Sequence, residues 1–498
     1  MCHISLVYTH SSFRGDCIKV LLSTPPGKTS EKWPPLGLLY IASSIKARRK
    51  DDITIIDAFC ENLGREELVS KIVSLNPDVV GLNCSTHTFL DALYVLRKVK
   101  HSLDDVITVL GGYHATFTSR RILNEYDFID FLIKGEGEES FVELLDRLDA
   151  GQDLNDISGI GFKHDGVIVD NDFQLIKDLD AIPFPDRDLL SGIDYGYSHQ
   201  GIPLTPGKFT TMCTSRGCPF RCTYCSCTVL SKGRWRKRSP ENVVDELILL
   251  SDQGYETCVF VDDSFTQDRA RVKEICRMIR ERGIQMHLYC EGRVDRADLD
   301  LLKDMKRSGF DVIYFGAESA SEHVLEYYNK RTKPEQIREA VSNAKKVGML
   351  AVTSYIVGAP VETREDFALT ITLIKETRPH GIQMNILDCL VGTPIWDELE
   401  ANGLTGLDDW KTNHRIYEYF DRFTKEELDA MANSGYKAHI EGWMRPRSLL
   451  EIVKLFLANP SLRKIIGANY KNPNLRKRVL SSNVYEGLES SYDTQSAE

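Results

Sequence analysis

Short apolar runs alternate with amphipathic stretches through most of the chain. Between residues 18 and 148, IKVLLSTPP, DITIIDAF, DVVGLNCST, DVITVLGG and DFLIKGEGE read as strands. LGLLYIASSIKARR, REELVSKIVSLN, LDALYVLRKVKHS, TSRRILNEY and EESFVELLDRL read as the helices that follow them. Strands that are apolar nearly throughout, each followed by an amphipathic helix, build a parallel sheet covered on both faces. Five such βα units predict a doubly wound α/β domain over residues 1–150, with its ligand beyond the strand C-termini.

The rhythm breaks over residues 151–205. SGIGFKHDGVIVDND reads as a hairpin about Asp165-Gly166 and AIPFPDRDLL as a Pro-rich connector, so an interdomain linker with short strands is expected. Alternation resumes near Phe209 with FTTMCTS, TCVFVDDS, QMHLYCEGR, DVIYFGAES, AVTSYIVGAP and IQMNILDCL. Ser239-Pro240-Glu241 gives a helix N-cap followed by proline, and Thr332-Lys333-Pro334-Glu335 fits a capping box. Six successive units predict a partial (βα)6 barrel over 206–410. A small helical C-terminal domain is expected over 411–480, and a polar, Ser-rich, disordered tail over 481–498.

A net charge of -11 argues against a nucleic-acid backbone as the main partner, because phosphate binding wants clustered cations. No run approaches the roughly 20 apolar residues that span a bilayer. MCHISLVYTHSSFRGD has no positive region leading into an apolar stretch, so a cytoplasmic location is expected. Residues 445–480 carry nine Lys or Arg against one acid, Glu451, around the apolar SLLEIVKLFL. Such a segment can lie on an anionic membrane and admit a lipid, or cap the barrel mouth with a solvated basic face.

Most of the thirteen cysteines sit singly in apolar runs, as Cys84, Cys258, Cys276 and Cys389 do, and read as buried free thiols. TMCTSRGCPFRCTYCSC (211–227) differs, with C-x3-C-x2-C at Cys218, Cys222 and Cys225 directly after a strand. Three thiolates can ligate three irons of a cubane and leave the fourth open to a ligand. A structural zinc would want four closed ligands, and Cys213 and Cys227 supply extra thiols for that alternative.

The loop and its place after the first barrel strand resemble the radical S-adenosylmethionine (SAM) superfamily. The resemblance implies a [4Fe–4S] cluster on Cys218, Cys222 and Cys225, and reductive cleavage of SAM to a 5′-deoxyadenosyl radical. It sets Tyr224 beside the SAM adenine, Glu318 of YFGAES on SAM, and Gly358 and Pro360 of SYIVGAPVET near the adenine. The family more often has Gly-Glu-Thr where this chain has Val361-Glu362-Thr363. Arg293 of CEGR is placed to pair with the SAM carboxylate, and Asp263 of VDDSF, after Asp262, is a further cofactor contact at a strand end.

Across residues 18–410 the chain resembles the cobalamin-binding radical SAM group, which includes methyltransferases and a magnesium-protoporphyrin ester cyclase. PPLGLLYIAS (34–43), LGGYHAT (110–116) and KGEGEESF (134–141) occur in the expected order. Gly111 and Gly112 would let the corrin tail approach the backbone, Ser85 and Thr86 offer it hydroxyls, and Glu136 and Gly137 form the last rim loop. His114 reads as a cobalamin contact or as a structural histidine. DAFCENLG (57–64) has Phe59 where an Asp-x-His-x-x-Gly motif would put a cobalt ligand, so cobalamin without that histidine is expected. A degenerate domain that binds no corrin is the other reading.

The resemblance implies methylation of an unactivated carbon through methylcobalamin, with the two domains facing each other across their strand C-termini. Radical cyclisation or rearrangement, a cobalamin-free radical SAM enzyme and a non-catalytic iron–sulfur protein are the alternatives. The implied partners are a small-molecule or lipid substrate and an electron donor such as ferredoxin or flavodoxin.

Overall fold

The computed structural model describes residues 17–27, 32–196 and 205–444, and the paired backbone of 198–199 and 202–203. The basic segment from 445 and the tail over 481–498 lie outside the described residues.

The first sheet contains β1 (Lys19–Ser23), β2 (Asp52–Ile56), β3 (Val79–Asn83), β4 (Ile107–Gly111), β5 (Phe131–Ile133), β6 (Ile160–His164) and β7 (Val167–Asp170), in the order β2-β1-β3-β4-β5-β6-β7. The first five are parallel, as their apolar runs predict. The order reverses about β1, so a crevice opens beyond the ends of β1 and β3. The hairpin expected in the linker belongs to this sheet: β6 pairs antiparallel with β5, placing Phe162 opposite Phe131 with ring centroids 5.8 Å apart. Asp165 and Gly166 turn it with φ of 48° and 77°. The turn was legible locally, but the partner strand was not, because pairing with β5 depends on burying those rings.

The second sheet runs Phe209–Met212, Thr257–Phe260, His287–Gly292, Phe310–Glu318, Leu350–Val357 and Gly381–Ile386, all parallel and in sequence order. Its first and last strands do not pair, so the barrel is partial. Phe209, Val259, Tyr289, Val312 and Val352 are buried together, and Trp33 and Tyr195 pack against them. These residues floor the lumen at the end away from the strand C-termini.

Ser239 caps the helix Pro240–Asp252 through Asn242 N–H, as expected. The other capping box is shifted by one residue. Pro334 opens the helix Pro334–Val347, which makes Lys333 the N-cap, and Gln336 closes the box at 2.8 Å from Lys333 N–H. The described part of the C-terminal region includes the helix Lys425–Trp443, which covers the last barrel strand. Tyr436 Oη accepts Met384 N–H at 3.2 Å, and a Cβ on Gly435 would meet Met384 Sδ at 2.7 Å.

Gly112 illustrates how closely the strand ends approach. It has φ of 98°, and a Cβ there would lie 2.5 Å from the Cys84 carbonyl oxygen. Gly112→Ala should cost about 2 kcal/mol or more, from backbone strain plus a collision with main chain that cannot rotate away. The melting midpoint of the N-terminal domain should fall by about 4–8 °C. A midpoint within about one degree of wild type would show that the chain relaxes around the new methyl.

Candidate functional site

The cysteine loop is pinned by the two aspartates that end the second barrel strand. Buried Asp262 accepts Thr214 N–H at 2.7 Å, Thr214 Oγ1 at 2.6 Å and Ser215 Oγ at 2.5 Å. Burial raises its carboxyl, while Arg271 and these donors pull it back. Asp263, expected on a cofactor, accepts Gly217 N–H at 2.8 Å, one residue before Cys218. Farther along the loop, Thr223 N–H donates to Tyr328 O at 3.1 Å. Phe220 lies under the Arg293 guanidinium at 3.5 Å.

Burial raises the Cys218 and Cys222 thiols, whereas a hydrogen bond from Cys227 draws Cys225 down. Cys218, Cys222 and Cys225 act electrostatically on one another. Yet no three Cys, His, Asp or Glu side chains among the described residues converge as the shell of one metal ion. Cys213 is turned away and donates to Ser215 O at 3.2 Å.

The loop meets the fourth barrel strand through Tyr224. Its Oη donates to Glu318 Oε1 at 3.0 Å, and Lys330 Nζ donates to the same oxygen at 2.7 Å. Glu318 has φ of 62°, a conformation that turns the carboxylate back toward the loop. A Cβ on Gly316 would meet Glu318 Oε1 at 2.4 Å and Lys330 Nζ at 2.9 Å, so a side chain there would push the pair aside. Arg293, expected on the SAM carboxylate, is held by Asp295 at 3.0 Å and Lys330 O at 3.1 Å while stacked on Phe220. Gly358 has φ of 96° and donates its N–H to buried Glu362 at 2.7 Å, within the turn that holds Pro360.

On the facing domain, Tyr113 follows Gly111-Gly112 and is 63% exposed. Asp263, Cys227, Cys213 and Arg216 of the barrel domain all nevertheless act on its hydroxyl. A side chain this exposed, with so many groups of the other domain around it, projects into an open cleft between the two sets of strand ends. His114, one residue on, is 1% exposed. Its ring packs 4.1 Å from Phe89 and stacks on Trp410 at 5.8 Å, with Nδ1 3.2 Å from Thr86 Oγ1. Burial pushes the imidazole down to about 3, so it is neutral. Of the two readings of His114, a cobalamin contact or a structural histidine, this burial favours the structural one, as neighbouring helical positions point about 100° apart. Thr86 is buried with it, and Ser85 caps its own turn through Thr88 at 3.2 Å.

Glu136, expected in the last rim loop, faces the barrel domain. Its oxygens accept from Arg236 at 2.7 and 2.8 Å, Arg216 at 3.2 Å and Ile176 N–H at 2.8 Å. Glu138 takes the other Arg216 nitrogen at 2.6 Å. Arg216 stacks on Tyr40, 5.0 Å from the ring centroid, and is paired in register with Arg236 across a two-stranded ladder. Burial pushes the Glu136 carboxyl up, but these arginines outweigh it and hold the group below its usual value. Gly137 is buried against Ile41 and Ile133, which a Cβ would meet at 3.0 and 3.3 Å. Phe59 of DAFCENLG lies on Gly27, just after β1, and Asp57 accepts from Thr24 and Tyr195 hydroxyls at 2.9 Å each. Lys330, Arg216, Tyr113 and Trp410 carry the site and were missed. Only Tyr113 and Arg216 had a sequence signal, lying inside LGGYHAT and beside Cys218.

Residues 212–374 match the radical SAM superfamily, and residues 27–145 match the B12 binding domain. An uncharacterized methyltransferase of Pyrococcus horikoshii is 35% identical over 87% of this chain and 94% of its own length. The anaerobic magnesium-protoporphyrin IX monomethyl ester cyclase of Rubrivivax gelatinosus is 31% identical over 70% of this chain and 63% of its own. Among solved structures, the cobalamin-dependent SAM radical enzyme OxsB with aqua-cobalamin bound superposes with a TM-score of 0.68 at 15% identity, over 96% of this chain and 81% of that one. At that identity the likeness is one of fold.

Arg216→Ala should cost about 3–5 kcal/mol, because it strands the Glu138 carboxylate and half of the Glu136 pairing. Unfolding midpoints and the rate of proteolysis between the domains will show it. Exposed Lys237→Ala, which removes one surface partner of Asp268, should cost under about 1 kcal/mol. Equal effects would contradict the seam's role. Glu362 gives a pH signature, its carboxyl being raised by burial from 4.5 to about 7. The folded state then binds the proton more tightly than the unfolded chain, so this stability is full below the unfolded value and is lost as pH rises through 7. Between about pH 5 and about pH 8, Glu362→Gln should gain roughly 3 kcal/mol relative to wild type in urea unfolding. Parallel curves would refute the shift.

Proposed function

Because the chain belongs to the cobalamin-binding radical SAM family, we propose that its facing strand ends hold a [4Fe–4S] cluster, SAM and cobalamin, and that it methylates an unactivated carbon of a small molecule. The observation that carries this is the cleft itself. One wall bears Cys218, Cys222 and Cys225 on a loop pinned by Asp262 and Asp263, and the other presents Gly112 and exposed Tyr113. Loaded with these groups, such a site supplies an adenosyl radical and a transferable methyl group. The chain's own residues hold and exclude. Asp263 fixes the main chain at Gly217, Lys330 and Tyr224 steady Glu318 at the rim, and the apolar floor closes the lumen to water from behind.

We place the enzyme in the cytoplasm, where a reducing medium keeps the cluster thiols available. A low-potential donor such as ferredoxin or flavodoxin would feed it electrons. None of the described helices is long and apolar enough to cross a membrane. Contact with a membrane surface would fall to the nine cations of 445–480. Cyclisation is the second reading, favoured by the cyclase relative.

Protein purified anaerobically with hydroxocobalamin should hold about four irons with matching sulfide, and about one cobalt. With SAM and a strong reductant it should form 5′-deoxyadenosine, and Cys222→Ala should abolish both the cluster and that product. Methyl-labelled SAM should pass its label to a small molecule; an altered but unlabelled molecule would favour cyclisation. Iron without cobalt would remove cobalamin from the scheme, and zinc without sulfide would overturn it.

A further inference from the structure

Two polar side chains on the inner face of the barrel take part in none of the contacts above. Residues in register across parallel strands face the same side, and so do residues two apart along one strand. Val259, Tyr289 and Val312 are in register and form the buried floor with Phe209 and Val352. Glu291, two residues beyond Tyr289, therefore faces the lumen directly above that floor, in register with Tyr314. Gln383 faces it from the sixth strand, in register with Ser354. Both side chains are exposed, Glu291 one residue before the end of its strand and Gln383 within the last strand of the sheet. That exposure leaves both polar groups open to a ligand from the lumen side. Arg293, two residues past Glu291, already belongs to the rim, so Glu291 lies one layer deeper than the cysteine loop's supports.

Charge separates this pair from the rim further. Asp262, Asp263 and Glu318 act on Glu291 along with one cation, Lys330, which is committed to Glu318. Asp262 and Asp263 spend hydrogen bonds on the cysteine loop. Glu291 makes no hydrogen bond to any described residue. Withdrawal from bulk water and the neighbouring carboxylates raise it to about 7, and in either protonation state its carboxyl can accept a bond from a substrate donor.

Resting on the proposed function, we infer that Glu291 and Gln383 form the polar anchor of the substrate site, and that the substrate presents a hydrogen-bond donor, a hydroxyl or an amine, near the carbon that reacts. A hydrocarbon filling the lumen would strip water from both groups and return nothing, losing about tenfold or more in affinity at each. Sites built to bond a hydroxyl or amine reject analogues that lack it far more strongly than apolar pockets reject an extra methylene.

The test uses anaerobic holoenzyme, methyl-labelled SAM, a strong reductant, and a small-molecule extract from cells lacking the gene. The readouts are altered product per 5′-deoxyadenosine and the cluster's electron paramagnetic resonance signal, which reports folding and loading. Glu291→Leu and Gln383→Leu should each lower product per 5′-deoxyadenosine about tenfold or more. Glu291→Gln should restore most of it for a hydroxyl substrate and little for an ammonium. An unchanged ratio in both leucine variants would overturn the inference, as would a consumed substrate without a hydroxyl or amine. Product and 5′-deoxyadenosine falling together would also overturn it, assigning Glu291 to SAM. A wild-type enzyme that forms no 5′-deoxyadenosine fails earlier, at the proposed function itself.

Discussion

Glu136 stands between two arginines from the other domain, and the relation of the two sheets follows from that contact. Arg216 lies just before Gly217 and Cys218, so the carboxylates of one domain hold the backbone from which the other's cysteine loop departs. Taking such charges out of water is costly, and their attraction roughly offsets that cost. The network therefore contributes little net stability and much geometric definition. In the arrangement that sets the strand ends facing each other, both guanidinium groups, the Ile176 amide and the Tyr40 ring are satisfied together.

Around this seam each domain repeats the same division of labour. Mostly apolar strand interiors make the walls, and polar or small residues gather toward the C-terminal ends. In the barrel the division is layered, with Val259, Tyr289 and Val312 below, Glu291 above them, and Arg293 with Asp263 at the rim. In the first domain the rim is nearly bare backbone, at Gly111 and Gly112, with one aromatic standing out of it.

Much of this was legible in the sequence. The apolar runs placed eleven of the parallel strands, and the C-x3-C-x2-C spacing located the loop. What escaped was set by distance along the chain or by one step of helical rotation. Arg216 and Glu136 are 80 residues apart, and Trp410 meets His114 from nearly 300 residues away, so no local pattern ties either pair. The His114 and Tyr113 exchange came from a helix start that turns the polar ring inward and the larger ring out. Glu136 read as a rim ligand because acidic loops beside glycines suit ligands, but a carboxylate facing two arginines is already matched.

The second contact between the domains has a different consequence. Trp410, which follows the barrel, stacks on His114 and packs on Phe89, while Lys411 reaches Glu125 at 2.5 Å and Arg121 reaches Glu400 at 2.6 Å. With Arg216 and Glu136 fastening one side and Trp410 the other, the described residues clasp the two domains at two places. For a guest as large as a tetrapyrrole, leaving would then require one of these contacts to open. Its dwell time is then set by how often a clasp springs open, and loading becomes a step of assembly, not of equilibrium exchange.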